Sequence, residues 1–232
     1  MTKSRVIGEQ MGGSDFSLFN MNTTPTIWVT EFNSEDARSF FNEFVALQGD
    51  NSIDEIVIYV DSFGGGVDAL CTMAELVEAS TKPVTTVCIG KAMSAGGILV
   101  SLGHPGKRWI GPNSRFMIHR ISGGAEGDSA FLETLTKEVI RLNNFWLKKI
   151  VSRSNISWKE FNDKLKELGG EWYMTATEAV KYGFADRIGV PIVKDKRNVV
   201  IEIGSEKVIT PAKKKSAKKA KPTKGKTDVD KS

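Results

Sequence analysis

Cysteine and histidine are scarce in this chain of 232 residues, with two of each. Cys71 and Cys88 cannot build a disulfide framework, and they lack the paired spacing of a structural zinc site. They read as small apolar packing residues in a reducing compartment. Long apolar runs are missing too, since none approaches the ~20 residues of a membrane helix. The opening Met1-Thr-Lys-Ser-Arg-Val6 lacks the apolar centre of a secretory signal. A cytoplasmic protein without membrane contact is therefore expected. No Gly-x-x-x-x-Gly-Lys-Ser/Thr phosphate loop occurs, so any use of ATP would belong to a partner.

What is present suits one domain with tails. Hydrophobic residues make up 40% of the chain, enough for a sizeable core. The net charge of +4 is unevenly placed. Residues 211–232 hold nine lysines against two aspartates, a net +7, so the rest of the chain carries −3. Such a tail cannot bury a core and is expected to be disordered. It suits a solubilising segment, with weak phosphate neutralisation on nucleic acid as the alternative. Residues 1–25 read as a loose arm, 26–195 as the folded domain and 196–210 as a C-terminal strand or extension.

Within the domain, strands alternate with helices. Thr26–Thr30 reads as a strand, and Asn33 or Ser34 caps a helix to about Leu47 with Ala37, Phe40, Phe41, Phe44 and Val45 on its apolar stripe. Ile56–Val60 is a continuous β-branched and aromatic run, as in a buried parallel strand. Glycines 64–66 turn the chain into a helix carrying Val67, Leu70, Cys71, Ala74 and Val77. Val84–Ile89 forms a strand that breaks at Gly90, and a short helix runs from Ala95 to Leu102. Trp109-Ile110 and Arg115–His119 read as strands. The polar segment Ser122–Gly127 precedes a long helix, about 128–153, with Leu132, Leu135, Val139, Leu142 and Trp146 on one stripe. Ser157-x-x-Glu160 and Thr175-x-x-Glu178 are capping boxes, and Gly183 suits a helix C-terminus. This order implies an α/β fold of parallel β-α-β units.

Three segments carry candidate chemistry. In Gly90-Lys-Ala-Met-Ser94-Ala-Gly-Gly97, a serine flanked by small residues follows a strand and opens a helix. Small neighbours admit a substrate backbone, and a helix N-terminus favours developing negative charge. A helix-capping serine is the plainer alternative. His119 ends a strand and would serve as the base that a serine hydroxyl needs. His104, in a Leu-Gly-His-Pro-Gly turn, is the competing histidine. In Ser62-Phe-Gly64-Gly65-Gly66-Val67, glycine N–H groups can face a ligand oxygen, where such donors are typically worth ~3–4 kcal/mol. An ordinary strand-to-helix turn is the alternative.

Taken in order, these motifs resemble the ClpP family, the proteolytic subunits of Clp proteases. Ser62-x-Gly64-Gly65 resembles its Ser-Pro-Gly-Gly segment, and Gly-x-Ala-x-Ser94 its nucleophile motif. Pro112-Asn-Ser114 with Met117-Ile-His119 resembles its histidine motif. Gly123-Gly-Ala-x-Gly127 resembles its substrate strand and handle, and Thr175 to Asp186 its C-terminal signature. The resemblance runs from about Thr26 to Ile188, with Gly65, Ser94 and His119 in the family's register.

It implies a ClpP/crotonase-type fold of repeated β-α-β units with a long protruding handle helix. It implies Ser94 as nucleophile, His119 as base, Gly65 and Ala95 as oxyanion-hole donors, and Gly66, Val67, Ser122, Gly123 and Gly124 as a substrate-binding strand. No metal and no cofactor are called for. The partners implied are polypeptide substrates, further copies of the chain in a heptameric ring, single or doubled, and an AAA+ unfoldase.

The third member of a triad departs from the pattern, because Glu171 occupies the family's Asp position. Glutamate serves in some triads but is longer by one methylene. Asp163 and Asp186 are the other acids considered. Gly170, Phe63 and Ile121 replace an Arg and two Pro residues of the family, which suggests a divergent relative, phage- or plasmid-borne. Three alternatives to a working Clp-type peptidase follow: a catalytically weak ring subunit, a phage head-maturation protease, and a crotonase-type acyl-CoA enzyme. The Ser94/His119 spacing argues against the last.

Overall fold

The computed structural model describes residues 25–191 and the backbone of 203–207. The expected arm, apart from Pro25, and the lysine-rich tail lie outside the described residues. One sheet of eight strands organises the rest: β1 (Thr26–Val29), β2 (Ile56–Ser62), β3 (Val84–Met93), β4 (Arg108–Ile110), β5 (Arg115–His119), β6 (Glu171–Met174), β7 (Arg187–Val190) and β8 (Ile203–Lys207). Six helices connect them: α1 (Ser34–Gly49), α2 (Val67–Ala79), α3 (Ala95–Leu102), α4 (Ser129–Ser152), α5 (Trp158–Glu167) and α6 (Ala176–Tyr182). This is the α/β architecture that the sequence implies, with a parallel sheet at its centre. Among the described residues no helix is long and apolar enough to cross a membrane.

The parallel part runs β1-β2-β3-β4, each strand beside the next. β2 is buried along all its length but Asp61, as its β-branched run requires. β3 then forks. Thr86–Cys88 pair with β4, whereas Lys91–Met93 pair with β5. The fork falls at Gly90, with φ +68°, where a Cβ would sit 2.9 Å from the Asp61 carboxylate. The expected strand end at Gly90 is thus a kink, beyond which β3 continues to Met93 and delivers Ser94.

The helices obey their local signals. Asn33 caps α1, its side-chain oxygen accepting from the N–H groups of Glu35 and Asp36, both at 2.9 Å. α1 buries Ala37, Phe40, Phe44 and Leu47, while Phe41 and Val45 remain about half exposed, so its apolar stripe is narrower than the sequence implies. α3 is apolar all round and wholly buried, as such a helix must be. In α4 only Trp146, Leu147, Ile150 and Val151 are buried. Leu132, at the start of the expected stripe, is exposed among the described residues.

β6 was not legible as a strand and matters most for the site. It pairs antiparallel with β5. Its inner face, Trp172 and Met174, is buried. Trp172 meets Phe161 and Phe184 at ring-centroid distances of 6.0 and 5.9 Å. Loss of such an aromatic anchor typically costs about 3–5 kcal/mol. This packing fixes which way β6 faces, and it turns Glu171 and Tyr173 to the opposite, exposed side.

Candidate active site

Ser94 sits at the junction of β3 and α3, with φ 54° and ψ −120°. It is the one non-glycine residue with positive φ among the described residues. A side chain in that region is strained by about 1–3 kcal/mol, and such strain clusters at functional positions. Its N–H donates to Met117 O at 2.9 Å, so the elbow is tied to β5. Its side chain makes no cap on α3. Instead Ser94 Oγ lies 2.8 Å from His119 Nε2. The capping alternative therefore fails on geometry, and the hydroxyl faces a base that can take its proton.

His119 stands at the end of β5, half-buried. The parallel β3–β5 register, Met93 opposite Met117, brings this strand end beside the elbow. The other histidine does something else. His104 Nδ1 accepts from Val84 N–H at 3.0 Å, tying the turn after α3 to the start of β3.

The glycine turn after β2 faces Ser94. Gly64 has φ +102°, and a Cβ there would fall 2.7 Å from Ser94 Cβ and 2.8 Å from Met93 O. Only glycine permits both that backbone and that approach. Ser62, fully buried, supports the turn by accepting from Gly64 N–H at 3.0 Å. Gly66 N–H donates to Phe32 O at 2.7 Å. The N–H groups of Gly65 and Ala95 differ. Among the described residues no protein acceptor takes either one. Ala95 is the first residue of α3, where an N–H has no partner within the helix. Ala95 adjoins Ser94 in the chain, and Gly65 follows the glycine that packs on Ser94, so both unused donors lie near the elbow.

The remaining expected residues fall as follows. Gly66 and Val67 are the N-cap and first residue of α2, not part of a strand. Ser122, Gly123 and Gly124 lie in an exposed irregular segment, and a Cβ on either glycine would meet open space. Just before them, Ile121 N–H donates to Asn143 of α4 at 2.8 Å.

The acids separate clearly. Glu171 stands directly opposite His119 in the β5–β6 ladder. Its carboxylate accepts from the Tyr173 hydroxyl at 3.0 Å. Among the described residues no hydrogen bond or ion pair joins Glu171 to His119. Asp163 is on the exposed face of α5, paired with Lys159 at 2.7 Å. Asp186 is committed elsewhere. It accepts from Arg108 Nε at 2.9 Å, from Arg108 N–H at 3.0 Å and from Gly106 N–H at 2.8 Å. Burial pushes its carboxyl up, but the Arg108 bonds and charge outweigh burial and hold it below the usual carboxylate range. Tyr173 is the site residue that the sequence reading missed. Its signal is the alternation Glu171, Tyr173 on one face, visible only once β6 is known to be a strand.

The Clp protease family profile matches residues 18–191. The chain is similar to the ATP-dependent Clp protease proteolytic subunit of Deinococcus radiodurans, 32% identical over 159 residues, which is 68% of this chain and 76% of the relative. With a profile that spans the fold and both flanks of the Ser94–His119 pair, the chain belongs to the Clp protease family.

Proposed function

We propose that this protein is a serine endopeptidase that cleaves unfolded polypeptides. The observation that carries the reading is the 2.8 Å contact between Ser94 Oγ and His119 Nε2 at a strained elbow beside two unused N–H donors. His119 takes the hydroxyl proton as Ser94 attacks the peptide carbonyl. The N–H groups of Gly65 and Ala95 hold the negative oxygen that results. The imidazolium then passes its proton to the departing amine, leaving an acyl-enzyme. Water, activated by the same histidine, hydrolyses it. Glu171 steadies the imidazolium when it forms. The segment Ser122–Gly124 receives the substrate as an added strand, with its open glycines offering backbone groups.

In this reading the chain acts within a ring of its own copies, fed by an AAA+ unfoldase. Exposed apolar side chains on α4, including Phe131, Ile140 and Phe145, support self-association. The similar Deinococcus protein carries ATP dependence in its name. A cytoplasmic location belongs to the same proposal, with the lysine-rich tail as a solubilising segment. A second reading, a catalytically weak ring subunit, is favoured by one observation: the Glu171 carboxylate bonds Tyr173. Hydrolysis of fluorogenic peptides and of casein, with and without an AAA+ unfoldase, separates the two. Wild type should cleave and S94A should not. Rings that form without cleavage support the second reading.

A further inference from the structure

We infer that Tyr173 is a positioning residue, whose hydroxyl holds the Glu171 carboxylate off His119 and so sets how often the third member of the triad is engaged. The inference rests on the serine-peptidase reading above. It is carried by the β5–β6 ladder. His119 and Glu171 form one cross-strand pair, and Met117 and Tyr173 form the next pair on the same face of the ladder. Directly opposite residues share a face with Cβ atoms about 4.5–5.5 Å apart. Glu171 therefore needs only side-chain rotation, and no movement of β6, to reach the imidazole. The strand pleat puts Tyr173 on that same face, two residues along. Both side chains are exposed, so neither is locked by packing. His119 and Tyr173 both stand on the face that the carboxylate occupies, and it is on Tyr173, at 3.0 Å.

The two donors differ in charge, and that difference gives the arrangement its logic. The phenol is a neutral donor at all working pH values, all the more so because the bond and charge of Glu171 push its ionisation upward. His119 is a charged donor once it has taken the Ser94 proton. Charge-assisted hydrogen bonds are about twice as strong as neutral ones. Tyr173 thus stabilises the resting arrangement, while the imidazolium draws Glu171 across as the reaction proceeds. Whatever Tyr173 contributes to the resting state is added to the barrier. An exposed hydrogen bond of ordinary strength corresponds to about fivefold in rate.

The test compares wild type, Y173F, E171Q and the double variant, all as full-length chains. Two readouts are taken: the rate of fluorophosphonate addition to Ser94 at pH 7, and the low-field NMR signal of a histidine Nδ1–H bound to a carboxylate, using 15N-histidine. Y173F should react about fivefold faster and show a stronger low-field signal. Both gains should vanish in Y173F/E171Q. Tyr173 is exposed, so its fold should persist, which thermal melting checks. Unchanged or slower labelling in Y173F, or an unchanged Nδ1–H signal, overturns the inference. If Ser94 in wild type does not label at all, the peptidase reading fails on its own, and the Nδ1–H signal still decides whether Tyr173 holds Glu171 away.

Discussion

Glu171 lies opposite His119 across two paired strands, yet its carboxylate hydrogen-bonds Tyr173 on its own strand. Ser94 Oγ and His119 Nε2 are already in contact at 2.8 Å, whereas among the described residues Glu171 and His119 are not joined. If Glu171 steadies the imidazolium, E171Q should lower kcat/KM by on the order of 10²–10⁴-fold and leave the melting temperature nearly unchanged. E171D, shorter by one methylene, should retain more activity than E171Q. Peptide hydrolysis by the three proteins decides this, and equal activity in all three removes Glu171 from the mechanism.

The glycine turn supplies a second prediction. In G64A the new Cβ must displace Ser94 Cβ or Met93 O, and the backbone φ of +102° is unfavourable for alanine. Strain of about 1–3 kcal/mol is expected, visible in denaturant melts. The activity loss should exceed that stability loss, because the displaced atoms belong to the elbow itself. A fall in stability with full peptidase activity would show that the elbow tolerates the shift.

Asp186 gives a pH prediction. Its folded-state ionisation lies below its unfolded value, so the unfolded chain binds the proton more tightly. Its contribution is therefore fully present above the ordinary carboxylate range, around pH 4, and is lost as pH falls through the lower folded value. Urea melts of wild type should weaken below about pH 4, and D186N should be less sensitive there. At pH 7, D186N should cost about 3 kcal/mol, since it leaves the Arg108 guanidinium, 8% exposed, without its charge partner.

The cysteines allow a fourth. Burial pushes the Cys88 thiol up to about 12, and its side chain is wholly inaccessible. At pH 8 only about one molecule in 10⁴ would carry a thiolate there. A disulfide reagent such as DTNB should leave Cys88 unmodified in the folded protein and modify it in guanidinium. Rapid native modification of Cys88 would contradict its burial in β3.

Much of this was legible in the sequence because its signals are local. The cap at Asn33, the box at Thr175 and Glu178 and the buried run of β2 each depend on a few neighbouring residues. The Ser94–His119 pair was readable through the resemblance to the ClpP family, and its contact follows from the β3–β5 register. What escaped depends on distant partners. β6 is four residues long and has its ladder with β5, more than fifty residues earlier, so nothing local marks it as a strand. With β6 unseen, Tyr173 had no reason to stand beside Glu171. The apolar spacing on α4 is present in the sequence, but of that stripe only Trp146 is buried, since a pattern does not say what covers it.

The most direct test of the central claim is to treat the folded protein with a fluorophosphonate and map the adduct by peptide mass spectrometry. A single adduct on Ser94 is expected, formed by wild type, absent in S94A and strongly slowed in H119Q. An adduct on another residue, or equal labelling of wild type and S94A, would contradict it.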